Sequence, residues 1–260
     1  MVHTSGDLDS TRRFSSRVED YIRYRPSYPE GIIPLLEREC GLRPAARIAD
    51  IGSGTGFFAA LFLRFGCEVM GIEPNADMRL AGERLLAAEP RFHSVDGRAE
   101  ATGLAAASVD FVTAGQAFHW FDLPAARAEF LRILRPSGWV VLAWNERLVE
   151  GRFLEEYEAL LNRYAPDYSR IDHRRMDAGV IDDFFGAGNW QLTGFPNEQR
   201  FDLAGLLGRL HSSSYAPAAG SDAYGRINED IERLFGECQG DGVVAFRYEA
   251  KVYYGQLGRH

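Results

Sequence analysis

Ile48-Ala-Asp-Ile-Gly-Ser-Gly-Thr-Gly-Phe-Phe58 places three glycines at alternate positions between a short apolar run and an apolar helical pattern. Residues without a Cβ let the backbone turn sharply and pass close to a ligand, but each costs conformational entropy that a bare tight turn would not require. Two kinds of ligand suit such a strand, turn and helix: a dinucleotide, or a nucleoside cofactor without a pyrophosphate. The dinucleotide fingerprint G-x-G-x-x-G uses its third glycine for close helix packing and aims the helix N-terminus at a pyrophosphate. Here the spacing is G-x-G-x-G and Phe57 stands where that third glycine belongs, which favours a cofactor lacking a pyrophosphate. Glu73 follows Gly52 by 21 residues and closes the apolar run Val69-Met-Gly-Ile72. A carboxylate there can accept hydrogen bonds from both hydroxyls of a ribose, although alone it also reads as a favourable charge at a helix N-terminus.

Outward from the glycines, short apolar runs alternate with amphipathic stretches, the pattern of β-α-β units and a largely parallel sheet. Strands are predicted at Ala46 to Ile51, Glu68 to Ile72, Arg91 to Val95, Val109 to Ala114 and Gly138 to Trp144. Between them helices are predicted at Phe57 to Phe65, Ala76 to Ala88 and Pro124 to Leu134, the last stopped by Pro136 and Gly138. A helix over Pro29 to Cys40 would cover one face, preceded by the proline-bound aromatic stretch Tyr21 to Pro29. Beyond the core, Gly151 to Tyr164, Asp177 to Phe185, Leu203 to His211 and Ser221 to Phe235 read as helices and Ser212 to Gly220 as a loop. The alternating end of Gly242 to Tyr254 suits a strand with one buried face. The expected organisation is an N-terminal arm and first helix (1–45), an α/β core (46–145), a helical lid insertion (146–240) and a returning C-terminal strand (241–260).

The 260 residues are 46% hydrophobic and 25% charged, enough to bury a core and too apolar for disorder. No apolar run approaches the roughly 20 residues of a membrane span, and the first 25 residues lack the apolar stretch of a secretory signal. Cys40, Cys67 and Cys238 show no metal-ligand spacing, so a cytoplasmic protein without metal is expected. The net charge of −8 offers no general field for a polyanion. A small molecule is the expected partner, rather than nucleic acid or membrane, for a monomer or homodimer.

An ordered series of motifs resembles the class I S-adenosylmethionine-dependent methyltransferases, in particular the methyltransferase type 11 group that includes trans-aconitate methyltransferase-like enzymes. The series is D-I-G-S-G-T-G at Asp50 to Gly56, G-I-E-P-N at Gly71 to Asn75 and G-R-A-E at Gly97 to Glu100. It continues with S-V-D-F-V at Ser108 to Val112, Q-A-F-H-W-F at Gln116 to Phe121 and L-R-P-S-G-W at Leu134 to Trp139. It covers about Tyr21 to Trp144. The resemblance implies a doubly wound, Rossmann-like, mostly parallel seven-stranded α/β sheet with a C-terminal antiparallel strand and a helical lid. It implies S-adenosyl-L-methionine as cofactor and S-adenosyl-L-homocysteine as product.

Carried over to this chain, the resemblance implies a cofactor loop of Gly52, Ser53, Gly54, Thr55 and Gly56, with Asp50 reaching the amino group. Glu73 would hold the ribose, Pro74 and Met78 would line the adenine, and Ala99 would offer it a backbone N–H. The family commonly has an aspartate before that alanine where this chain has Arg98, with Glu100 or Asp96 as its replacement. Gln116 and Ala117 would sit at the methionine end, while Phe118, His119 and Trp120 would face the acceptor, His119 as a general base near its unperturbed pKa of about 6.5 or as a pocket wall. Tyr21, Arg25 and Tyr28 resemble a lid arm, with Tyr21 and Arg25 on the cofactor, Arg25 near its carboxylate, an aromatic face near the sulfonium, and Tyr28 grouped with the acceptor-facing residues. Arg170 to Arg175 reads either as a solvated loop or as a site for an acidic acceptor. The competing functions are an NAD(P)-dependent oxidoreductase, opposed by Phe57, and a non-catalytic S-adenosylmethionine-binding protein.

Overall fold

The computed structural model describes residues 23–165, 168, 178–213 and 215–258. Tyr21 and the Arg170 to Arg175 cluster lie outside the described residues. The described chain forms α1 (Ile32–Cys40), β1 (Arg47–Ile51), α2 (Phe57–Phe65), β2 (Glu68–Ile72), α3 (Ala76–Leu85), β3 (Phe92–Val95), β4 (Val109–Gly115), α4 (Leu123–Ile133) and β5 (Leu134–Arg147). It continues with α5 (Arg152–Tyr164), α6 (Ala178–Phe185), β6 (Trp190–Phe201), α7 (Leu203–His211), α8 (Asp222–Cys238) and β7 (Val244–Gly255).

The seven strands form one sheet in the order β3-β2-β1-β4-β5-β7-β6. β1 to β5 run parallel, and β7 pairs antiparallel with both β5 and β6. β1 and β2 are buried on both faces after their first residue, as a sheet with helices on either side requires. One apolar layer joins α1 and α2 to the sheet through Leu36, Phe58 and Phe62. The opposite layer joins α4 and α6 through Phe130, Trp144 and Phe184. A third cluster, under α5, α7 and α8, is centred on Tyr157, Phe246 and Ile231.

The core elements fall where the apolar periodicity puts them: α2 and β2 match their expected bounds, and β5 runs longer than expected at both ends. The main difference is β6, which occupies a stretch to which the sequence assigned no element. Its outward and inward residues alternate, it carries Gly194 and Pro196, and it lies at the sheet edge. An edge strand tolerates a proline because one side of its backbone has no ladder to complete. Twelve paired positions against β7 hold it there.

The strand order reverses between β1, which leads on to β2 and β3, and β4, which leads on to β5. In open α/β sheets the crevice outside the strand ends at such a point is where ligands bind.

Candidate cofactor and acceptor site

At that reversal a cleft lies between the ends of β1, β4 and β5 and the N-terminal arm. Gly52 leaves β1 with φ +65°, and a Cβ built on it would stand 2.6 Å from the Cβ of Ala117. Only glycine combines that conformation with that approach. The N–H groups of Gly52 and Ser53 donate to the carbonyl of Ile72 at 2.8 and 3.1 Å, which fastens the loop to the end of β2.

Glu73 braces the same loop. Its Oε2 accepts from the Gly54 N–H at 2.9 Å and its Oε1 from the Asn75 N–H at 2.8 Å. Burial raises its pKa, while those two N–H groups and Arg79 oppose the rise. Each oxygen keeps a further lone pair, so the carboxylate can position the glycine loop and still accept hydroxyl donors. Asn75 then caps α3, accepting from the N–H groups of Asp77 and Met78 at 3.0 Å.

Asp50, at the end of β1, is 1% exposed. Its Oδ1 accepts from Thr113 Oγ1 at 2.6 Å, across the β1–β4 pair in which the two residues are partners. Burial pushes its pKa up to about 7 despite that hydrogen bond. Its Oδ2, the Thr55 hydroxyl and the Gln116 amide oxygen are buried with no hydrogen-bond partner among the described residues. Gln116 also has φ +55°, a conformation that costs free energy in a residue with a Cβ and tends to persist at binding sites. Three orphaned polar atoms around one cleft are what a polar ligand's donors would complete. The donor set fits an amino acid joined to a nucleoside: buried carboxylate oxygens for an ammonium and for hydroxyls, and a guanidinium for a carboxylate.

The arm closes the other side. Tyr28 packs on Phe58 with ring centroids 4.4 Å apart, and its hydroxyl lies 2.5 Å from where a Cβ on Gly115 would stand. Arg25 lines the cleft and its Nη2 donates to the Ser212 carbonyl at 3.4 Å. Asn197 on β6 donates to the carbonyl of Ser27 and to Asn145 Oδ1, both at 2.8 Å, and Gln199 donates to the Tyr24 carbonyl at 3.3 Å. The edge strand that the sequence reading missed is therefore what holds the arm over the cleft.

Of the expected cofactor residues, Arg25, Asp50, Gly52, Ser53, Gly54, Thr55 and Gln116 line this cleft, as does Tyr28 from the acceptor set. Pro26, Phe57, Phe58, Gly115 and Asn145 line it as well and were not foreseen. Gly56, Glu73, Pro74, Met78, Ala99, Glu100 and Ala117 are not among the lining residues, Glu73 reaching the cleft only through the Gly54 N–H it accepts from. Gly56 starts α2 with φ +86°, Met78 and Ala99 are buried, and Pro74 is half-buried. Glu100 is engaged by the Asp122 N–H at 2.9 Å and Asp96 by Arg79 at 3.2 Å. Phe118 is fully buried against Phe184 and Trp144, ring centroids 4.7 and 6.0 Å away, so its place is in the core and not at the cleft surface. His119 and Trp120, on the one-turn 3-10 helix Phe118–Trp120, are half-buried with their rings 4.8 Å apart and do not line the cleft.

Strand order and the glycine loop at the end of β1 define a Rossmann-like α/β protein. Comparison with known proteins gives the family. A model of the methyltransferase domain matches residues 49–142. An uncharacterized methyltransferase-like protein of Schizosaccharomyces pombe is 32% identical over 230 residues, 86% of each chain. An uncharacterized methyltransferase of Mycobacterium tuberculosis is 38% identical over 162 residues, 62% of this chain and 63% of the relative. A solved structure from Anaeromyxobacter dehalogenans, assigned as a type II methyltransferase, superposes with a TM-score of 0.67 at 25% identity, covering 91% of this chain and 100% of the other. The chain belongs to the methyltransferase domain family, within the class I S-adenosylmethionine-dependent methyltransferases. Its match to the mycobacterial relatives covers a little under two thirds of their length.

Among the described residues no group of His, Cys, Asp or Glu is arranged to hold a metal ion, and no helix is long and apolar enough to cross a membrane.

Proposed function

We propose that this protein transfers a methyl group from S-adenosyl-L-methionine to a small-molecule acceptor by in-line displacement. One observation carries the reading: the buried, unpartnered oxygens of Asp50, Thr55 and Gln116 face a cleft whose floor is the glycine loop braced by Glu73. When bound, the cofactor supplies an electrophilic sulfonium methyl, taken by an acceptor lone pair as the C–S electron pair stays on sulfur. Asp50 holds the ammonium of the cofactor and Glu73 its ribose hydroxyls. Arg25 pairs with its carboxylate, and the Tyr28 ring offers an electron-rich face to the sulfonium. The arm strapped by Asn197 and Gln199 excludes water and fixes the approach of the acceptor. Rate enhancement on this reading comes mainly from alignment in a closed site. A neutral acceptor must also shed its proton. His119, the candidate base, stands off the cleft lining, which favours an acceptor that arrives ionised and needs no base.

Calorimetric titration of the full chain with S-adenosylmethionine and, separately, with NAD tests the proposal. Saturable one-site binding of S-adenosylmethionine alone is the expected result. Binding of NAD alone would assign the cleft to an oxidoreductase. Absence of S-adenosylmethionine binding would end the methyltransferase reading.

A further inference from the structure

Beside the cofactor cleft, the end of β5, α5, α7 and the turn after α7 enclose cationic groups that no cofactor contact requires. Arg147 follows Asn145 by two residues on β5 and so lies on the same strand face. Its side chain is 10% exposed. Its Nη2 meets the Glu158 carboxylate and, at 2.9 Å, the Tyr168 hydroxyl. Its Cζ lies 5.1 Å from the centre of the Tyr157 ring. Its other terminal nitrogen, Nη1, is buried with no hydrogen-bond partner among the described residues. Arg209, on α7, is 6% exposed. It donates to the Tyr248 hydroxyl at 3.4 Å and to Ser213 Oγ at 2.8 Å, and among the described residues it forms no ion pair. Tyr157, on α5, is 1% exposed and its hydroxyl is buried without a partner.

The two arginines converge. Burial raises the pKa of the Tyr215 hydroxyl, but Arg209, Arg147 and Arg25, in that order, outweigh it and bring the pKa below the ordinary tyrosine value. The fold places the two arginines together: Arg147 is the ladder partner of Tyr248 in the β5–β7 pair, and Arg209 donates to the Tyr248 hydroxyl at 3.4 Å. Arg25 connects this group to the cleft, since it lines the cleft and donates to Ser212, the neighbour of the Ser213 that Arg209 holds. A buried guanidinium is costly unless an anion and further hydrogen bonds offset the lost hydration. Arg147 has such an anion, Glu158, on Nη2 only; Arg209 has hydroxyl partners among the described residues, which offset its burial only in part. The unpaired Arg147 Nη1 and the unpaired hydroxyl of Tyr157, whose ring lies 5.1 Å from the Arg147 Cζ, are donors that lack an acceptor among the described residues.

Resting on the methyltransferase reading, we propose that Arg147, Arg209 and Tyr157 form an oxyanion subsite that holds a carboxylate or phosphate group of the methyl acceptor beside the cofactor cleft. The planar guanidiniums suit the paired oxygens of such groups. The subsite selects acidic molecules over their neutral amides.

The test is calorimetry on the full chain with S-adenosylhomocysteine present, using succinate, glycerol 3-phosphate and, as the neutral control, succinamide. At least one of the two anions is expected to bind and succinamide is not. Succinate alone would identify the source as a carboxylate, glycerol 3-phosphate alone as a phosphate, and binding of both a general oxyanion site. Arg147→Met and Arg209→Met are each expected to weaken the anion at least tenfold and leave S-adenosylmethionine affinity within twofold. Tyr157→Phe separates this role from a structural one, because its hydroxyl supports nothing in the fold. That variant is expected to melt at or above the wild-type temperature and still lose anion affinity severalfold. A protein that binds S-adenosylmethionine but neither anion, or whose Tyr157→Phe and Arg147→Met variants bind the anion like wild type, overturns the subsite. A protein that binds the anion but not S-adenosylmethionine keeps the subsite and loses the methyltransferase reading instead.

Discussion

Replacing Gly52 by alanine asks the loop to accept two separate costs. The first is conformational: alanine at φ +65° is held in the left-handed region, at roughly 1–2 kcal/mol. The second is steric. The new methyl would start 2.6 Å from the Ala117 Cβ, so one of the two must move by about 1 Å to reach ordinary contact. Ala117 has little room to move, being buried and following Gln116, whose own φ is +55°. Overpacking of this kind costs about 1–3 kcal/mol. The total expected for Gly52→Ala is about 3 kcal/mol. Gly41→Ala supplies the control, because Gly41 has φ +66° and nothing within 4 Å of a built Cβ, so it carries the conformational cost alone. Urea unfolding followed by circular dichroism should therefore rank Gly52→Ala below Gly41→Ala by about 2 kcal/mol with unchanged m-values. Ala117→Gly in the Gly52→Ala background removes the opposing methyl and should restore most of that difference, seen as a coupling in the double-mutant cycle. Equal destabilisation by the two alanine variants, within about 0.5 kcal/mol, or no coupling to Ala117, would refute the argument that close backbone approach is what the first glycine serves.

Two pH-dependent outcomes follow from the buried carboxyls. With the Asp50 pKa raised to about 7 and its carboxylate receiving the ammonium of the cofactor, the binding-competent ionised form grows about eightfold between pH 6 and 7.5 by simple titration. Affinity for S-adenosylmethionine measured by calorimetry should rise by about that factor, with protons released to the buffer at the lower pH, and Asp50→Asn should bind more weakly and lose the trend. A flat profile in the wild type would separate Asp50 from the ammonium. Glu129 has the opposite sign: its hydrogen bonds to Arg132 and Thr102, against the burial that would raise it, lower its pKa to about 2, below the ordinary glutamate value of about 4.3. Its contribution, about 2 kcal/mol after allowing for the exposure of Arg132, is present above about pH 4.3 and is lost as pH falls toward 2. Glu129→Gln should cost about that much in urea unfolding at pH 6 and close to nothing near pH 2. Equal losses at both pH values would assign the cost to packing and not to charge.

What the sequence discloses and what it hides differ by the range of the contacts involved. The glycine loop, β1, α2 and Glu73 are legible because each is a local constraint: an apolar run of fixed length, a turn that only glycine can make, and a carboxylate at the end of the next strand. β6 is not legible, since Gly194, Pro196 and a run of polar residues argue against a strand, and only twelve ladder positions against a strand some fifty residues later make it one. Asn197 and Gln199 escaped notice for a related reason. Their partners are backbone carbonyls of the N-terminal arm, contacts that leave no motif in the residues that make them. Arg147, Tyr157 and Arg209 come from a strand and two helices joined only by tertiary packing, and in the sequence each reads as an ordinary surface arginine or core tyrosine. The same division runs through the site. The cofactor end is built from residues near one another along the chain, at the ends of β1, β2 and β4. The proposed acceptor subsite is assembled from β5, α5 and α7, whose separation in sequence lets each change without disturbing the glycine loop. On the proposed reading, a cofactor motif of local residues can therefore sit beside an acceptor subsite of any charge, and the buried guanidiniums, not the glycines, would select the acceptor.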